Sequence, residues 1–177
     1  MKKKYSTVLL AETGIAVALA LILDFIKVWR APQGGSVNLA AVPIIVLAFR
    51  RGFVPTLVAG GLLGTLKLFL GGYAIHPLQA ILDYPLAFLL LGVAGAFQGL
   101  YRRKDNNWWV VAIATLVGFL GRFISHFIAG VVYFSQYAPE NMSVVWYTIV
   151  YNGTHLVPTA ILTIIISLAL LKYPTIR

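Results

Sequence analysis

Asp83, His126 and Asn152 are polar side chains set in otherwise apolar runs. Asp83 interrupts His76-Pro-Leu-Gln-Ala-Ile-Leu-Asp-Tyr-Pro-Leu-Ala-Phe-Leu-Leu-Leu-Gly-Val-Ala-Gly-Ala-Phe97, a stretch that otherwise reads as a membrane-spanning helix. Placing a carboxylate in hydrocarbon costs several kcal/mol, so one retained there marks a candidate binding site whose partners lie on neighbouring helices. Ionised, it accepts paired N–H donors. The competing reading is an internal ion pair of Asp83 with Arg122 or Lys67, and a single His or Asn in a bundle also serves as interhelical glue.

Aromatic residues surround these positions in sequence. His126, Gly130 and Phe134 recur at i, i+4 and i+8 on one helical face, so the glycine leaves a gap for a flat ligand between the imidazole and the ring. Tyr84 follows Asp83, and Trp146, Tyr147 and Tyr151 crowd the first turns of the last helix. A singly acidic, aromatic cavity suits a planar organic cation, because ring faces attract positive charge. The alternative is an interfacial aromatic belt formed by Trp108, Trp109, Tyr133 and Trp146.

The elements that position these groups are transmembrane. With 60% hydrophobic and 11% charged residues in 177 positions, the chain is an all-α integral membrane protein. About 20 apolar residues cross the hydrocarbon, and six helices are expected near 7–28, 37–50, 53–71, 77–99, 108–134 and 143–171 in a single domain. Arg50-Arg51-Gly52 leaves room only for a tight hairpin between the second and third. The alternative that Met1-Lys-Lys-Lys opens a signal peptide cleaved near Ala18-Leu-Ala20 conflicts with Glu12 inside the apolar run.

Charge sets the orientation. With the N-terminus cytoplasmic, Lys2, Lys3, Lys4, Arg50, Arg51, Arg102, Arg103, Lys104, Lys172 and Arg177 lie inside, and only Lys27 and Arg30 outside. This bias predicts cytoplasmic termini. At 1.5 Å per residue, Asp83, His126 and Asn152 then fall roughly 9 to 13 Å below the outer surface, in one layer. The +9 net charge is a property of helix ends, which argues against nucleic acid as its partner. Glu12 and Asp24, the latter near Lys27, are expected to have structural roles.

Several chemistries are excluded. There is no cysteine, and no His pair has metal-ligand spacing beside a carboxylate, so neither a metal site nor a cofactor is expected. Gly60-Gly-Leu-Leu-Gly-Thr-Leu-Lys67 lacks phosphate-loop spacing, and its glycines fit close helix packing. Concentrative movement of a solute would therefore need another subunit or an ion. Ala11, Gly14 and Ala18 form a small-residue stripe on helix 1, available either to such a partner or to a neighbouring helix. Ser125-His126 is the only suggestion of a hydrolase, but adjacent helical residues point about 100° apart. A passive channel would need a continuous polar lining, whereas the cytoplasmic half is apolar.

Leu10-Ala-Glu-Thr-Gly-Ile-Ala-Val-Ala18, Pro32-Gln-Gly-Gly-Ser36, Pro43 with Arg50-Arg51-Gly52, His76-Pro-Leu-Gln79 leading to Leu82-Asp-Tyr84, His126-Phe-Ile-Ala-Gly130 with Ser135-Gln-Tyr-Ala138, and Trp146-Tyr147 with Tyr151-Asn152 run through the chain in this order. Together they resemble the thiamine-specific substrate-binding subunit of energy-coupling factor transporters. The resemblance implies that Asp83 holds the aminopyrimidine of thiamine, that His126 and Asn152 orient it, and that Tyr73, Tyr84, Phe134 and Tyr147 enclose the rings, with Gly130 below the stacking position. It also implies a multi-pass bacterial plasma-membrane protein, no catalysis by this chain, and an energy-coupling module of one transmembrane protein and two ATPases. Some relatives carry Glu at the position of Asp83 and Trp at that of Phe134, and a first-loop tryptophan over the ligand, for which Trp29 is the nearest substitute. Another vitamin or a precursor such as hydroxymethylpyrimidine is the alternative ligand.

Overall fold

The computed structural model describes residues 6–31, 34–103 and 107–172. Among these, six helices run in chain order: α1 Thr7–Phe25, α2 Ala41–Arg51, α3 Phe53–Phe69, α4 Pro77–Arg103, α5 Trp108–Tyr133 and α6 Val144–Leu171. Four are long and apolar enough to cross a membrane, and α3 is a shorter apolar helix. The predicted bounds of the last two helices agree with α5 and α6 within a residue.

Two predicted segments are corrected. Helix 1 stops at Phe25 instead of continuing to residue 28, and Lys27–Arg30 (β1) pairs antiparallel with Ser36–Asn38 (β2). The second predicted helix begins at Ala41, and its 11 residues reach about 16 Å, too short to cross the hydrocarbon alone. The reason is local. Val-Trp within β1 favours an extended backbone, and Asn38 accepts the Ala40 N–H through Oδ1 at 3.0 Å, closing the turn into α2.

The predicted tight hairpin between α2 and α3 turns on Gly52, whose φ of 82° lies in the region glycine adopts at no steric cost. Packing follows chain order: α1 lies against α2 and α3, α3 against α4, α4 against α5 and α5 against α6, and α2 touches α6. Gly60 and Gly64 abut the α4 backbone at Phe88 and Tyr84, as close helix packing requires. The core of Ile44, Ile45, Leu63, Phe88, Leu91 and Val110 lies among these helices. Much of the outer face is apolar and exposed, as for Ile15, Val58, Leu120 and Ile161. Ala20 is fully buried inside α1, so the segment considered for cleavage is an integral part of the bundle.

α4 is not a uniform helix. Leu82–Leu86 form a π-helical turn containing Asp83 and Pro85, and Gly92–Phe97 are tightened to 3-10 geometry. Proline lacks the N–H that an α-helix would use at its position, and a widened turn absorbs that loss, as it often does at functional sites.

Candidate ligand-binding site

A cavity of about 140 Å³ opens among α3, α4, α5, α6 and the Gly34–Ser36 segment. Of the residues chosen from sequence, Asp83, His126, Asn152, Tyr147, Tyr84, Tyr73, Phe134 and Gly130 all line it. Trp29 does not: it sits on β1 with nearly half its surface exposed. Trp146, 56% exposed, is also not among the lining residues.

Asp83 uses both carboxylate oxygens. Oδ1 lies 2.8 Å from His126 Nδ1, and Oδ2 accepts from Gln79 Nε2 at 2.6 Å. The Arg122 Nε–H donates to His126 Nε2 at 3.2 Å, so one imidazole links the α4 carboxylate to the α5 guanidinium. The direct ion pairs considered for Asp83 are absent among the described residues: Lys67 pairs with Asp24, and Arg122 reaches Asp83 through the ring. Lys67 and Arg122 also lie over the Phe88 ring, 4.7 and 4.2 Å from its centroid. The cavity thus holds cations as well as the anchor carboxylate.

Asp24 and Glu12 have structural partners. Asp24, expected near Lys27, instead binds Lys67 and accepts from Asn38 Nδ2 at 2.9 Å, joining α1 to α3 and β2. Glu12 pairs with Arg50 and Arg51, fixing α1 to the end of α2.

A Cβ at Gly130 would lie 2.4 Å from Thr148 Cγ2, so this cavity-lining glycine also permits the close approach of α5 and α6. Thr148 Oγ1 is buried without a hydrogen-bond partner among the described residues, and Thr148 lines the cavity. Asn152 Nδ2 donates to the Thr148 carbonyl at 3.0 Å.

An aromatic rim closes one side. The Phe134 ring lies 6.3 Å from Tyr73 and 6.1 Å from Tyr137, while His76 stacks on Tyr133 at 4.9 Å. A hydrogen bond with Tyr137 raises the Tyr73 phenol above its ordinary pKa. The Tyr73 N–H donates to the Tyr84 hydroxyl at 2.7 Å. Opposite, the Gly35 N–H donates to the Tyr151 hydroxyl at 3.1 Å, and Gly35 lies so close to His155 that a Cβ would meet its ring at 2.6 Å.

Sequence reasoning missed Gln79, Tyr137 and His155 as lining residues. Gln79 stands four residues before Asp83 and His155 three after Asn152, spacings that place each pair on one helical face. Ser125 is no nucleophile: its hydroxyl donates to the Leu82 carbonyl at 2.6 Å and is buried. Of the proposed aromatic belt, Trp108 faces outward, whereas Trp109 packs on the core and Tyr133 on His76.

Residues 10–176 match the family model described as thiamine transporter protein. Two known proteins named thiamine transporter ThiT are similar: one from Bacillus subtilis, 35% identical over 94% of this chain and 91% of its own, and one from Lacticaseibacillus paracasei, 35% identical over 94% and 88%. A solved structure of ThiT from Listeria monocytogenes superposes with a TM-score of 0.83 at 31% identity, covering 96% of both chains. These relatives are named as transporters, not enzymes, and with the apolar helices they make this a multi-pass protein of the bacterial plasma membrane. By sequence and by fold, the chain belongs to the thiamine transporter family.

Proposed function

We propose that this chain binds thiamine from the outer face of the membrane and takes it up as the substrate-binding subunit of an energy-coupling transporter, with both termini cytoplasmic. The observation that carries the reading is Asp83, held by His126 and Gln79 at the wall of an aromatic cavity. Each carboxylate oxygen has a further lone pair, so Asp83 accepts N–H donors from the aminopyrimidine while keeping its protein partners. His126 and Asn152 orient the ligand, and Tyr73, Tyr84, Phe134 and Tyr147 flank its rings. The thiazolium charge is met by aromatic faces, which attract cations by about 0.5 to 2 kcal/mol each.

Transport against a gradient is assigned to a partner module of one transmembrane coupling protein and two ATPases. Ala11, Gly14 and Ala18 are exposed on α1, and a Cβ at Gly14 would meet nothing within 4 Å. This supports use of the stripe by a partner rather than for packing within the bundle.

Thiamine titrated into the purified protein in detergent should quench tryptophan fluorescence saturably, and Asp83→Asn should weaken binding by at least about tenfold, the value of a lost charge-assisted hydrogen bond. Equal affinity of Asp83→Asn would refute the anchor. Binding of hydroxymethylpyrimidine without thiamine would replace the substrate.

A further inference from the structure

Gln79 is 1% exposed and spends its whole side-chain amide on three groups. Its Nε2 donates to Asp83 Oδ2 at 2.6 Å and to the Tyr73 carbonyl at 3.2 Å, while its Oε1 accepts from the Ile75 N–H at 3.0 Å. The orientation is forced, because a flipped amide would set its oxygen against a carboxylate and a carbonyl and its NH₂ against an N–H. One buried side chain therefore joins the cavity carboxylate to the rim segment 73–75. That segment carries Tyr73, whose own N–H is tied to Tyr84.

We propose that Gln79 is a positioning residue that couples ligand engagement at Asp83 to the order of the 73–75 rim. This rests on the thiamine reading above. A ligand that fixes Asp83 also fixes the amide bonded to it, and the amide holds the Tyr73 carbonyl and Ile75 N–H. Thiamine thus tightens the rim through a bond path as well as through contact with the Tyr73 ring.

Two substitutions separate this role from bulk packing. Gln79→Met keeps the length and apolar stem but removes all three hydrogen bonds. Gln79→Glu keeps the shape but sets a carboxylate against Asp83 and the Tyr73 carbonyl. The titratable and charged groups that line the cavity with position 79 are Asp83 and Tyr84 on α4, His126 and Arg122 on α5, Lys67 on α3, Tyr147, Tyr151 and His155 on α6, and Tyr73 and Tyr137 at the rim. Protonated, the new carboxyl donates to Asp83 as the amide did, whereas ionised it can only accept.

The experiment is thiamine titration of the full chain in detergent at pH 6 and pH 8, with amide hydrogen exchange read at Ile75. Wild type should bind at both pH values, and thiamine should slow exchange at Ile75. Gln79→Met should bind roughly ten- to a hundredfold more weakly with no slowing at Ile75, and Gln79→Glu should be weak at pH 8 and regain affinity at pH 6. Wild type that does not bind thiamine sinks the substrate reading itself. Wild type that binds with Ile75 exchange unchanged overturns the coupling, whatever the variants do. Wild-type affinity in Gln79→Met, or no pH recovery in a folded Gln79→Glu, also overturns it.

Discussion

The Nδ1 atom of His126 lies 2.8 Å from Oδ1 of Asp83, joining α5 to α4. On the far side of the ring, Nε2 faces the Arg122 Nε–H at 3.2 Å. A guanidinium only donates, so Nε2 is the acceptor and the ring proton resides on Nδ1, directed at the carboxylate. The imidazole is thereby neutral and locked in one tautomer.

That tautomer makes a prediction about side-chain shape. The Nδ2 of asparagine falls where histidine carries Nδ1, whereas the Nε2 of glutamine falls nearer the far ring nitrogen. His126→Asn should retain thiamine affinity within roughly tenfold of wild type, and His126→Gln should lose more, because the charge-assisted bond to Asp83 is worth about 1.5 to 3 kcal/mol. Calorimetric titration of the two variants checks the order, and the reverse order would refute the tautomer.

The Asp24–Lys67 pair is a second stake of the site, because it anchors a cavity cation and holds β2 through Asn38. Asp24→Asn leaves the Lys67 ammonium partly buried without its carboxylate, which should cost about 2 kcal/mol or more. Thermal unfolding in detergent should shift down by several degrees, and adding Lys67→Met should restore much of the loss. A fully additive double variant would show that the two residues are not coupled.

Much of this arrangement is legible in the sequence, for identifiable reasons. Asp83, His126 and Asn152 reach one cavity because isolated polar groups in apolar helices have few places to go, and α5 and α6 are delimited by long hydrophobic runs. The β1–β2 hairpin is hidden because β1 merges into the apolar run before it and β2 into the run after it. Charge pairing is hidden for another reason. Lys67 takes Asp24 rather than Asp83 because helix rotation and depth decide partners, and a period of 3.6 residues fixes faces only within one helix. The spacing marks Gly130 as a gap on the His126 face, but how closely Thr148 approaches it depends on the packing of α5 on α6, which periodicity within one helix does not fix.

The close approach at Gly130 predicts a size limit. Gly130→Ala places a methyl against Thr148 Cγ2, and overpacking of this kind costs about 1 to 3 kcal/mol. Thermal stability and thiamine affinity should both fall. Adding Thr148→Ser, which removes that methyl and keeps the hydroxyl, should recover most of the stability.

The opposite wall depends on Tyr151, which accepts the Gly35 N–H. Tyr151→Phe removes the acceptor while keeping the ring, so the fold should persist with the Gly34–Ser36 wall less firmly held. A single neutral hydrogen bond contributes about 1 kcal/mol. Stopped-flow fluorescence should accordingly show thiamine leaving roughly fivefold faster, with little change in its association rate. Unchanged release would mean that this bond does not retain the ligand.

Recognition and coupling are assigned to different surfaces, and the last prediction separates them. Gly14 faces outward on α1, with open space where its side chain would be, whereas the cavity lies among α3 to α6 and the Gly34–Ser36 segment. Gly14→Trp should therefore fold and bind thiamine in detergent as wild type does. A bulky ring on a small-residue stripe blocks the close helix approach that such stripes permit, so co-purification with the coupling module and thiamine uptake by cells should both be lost. Loss of binding in detergent would place Gly14 within the fold's own packing, and retained uptake would move the partner to another face.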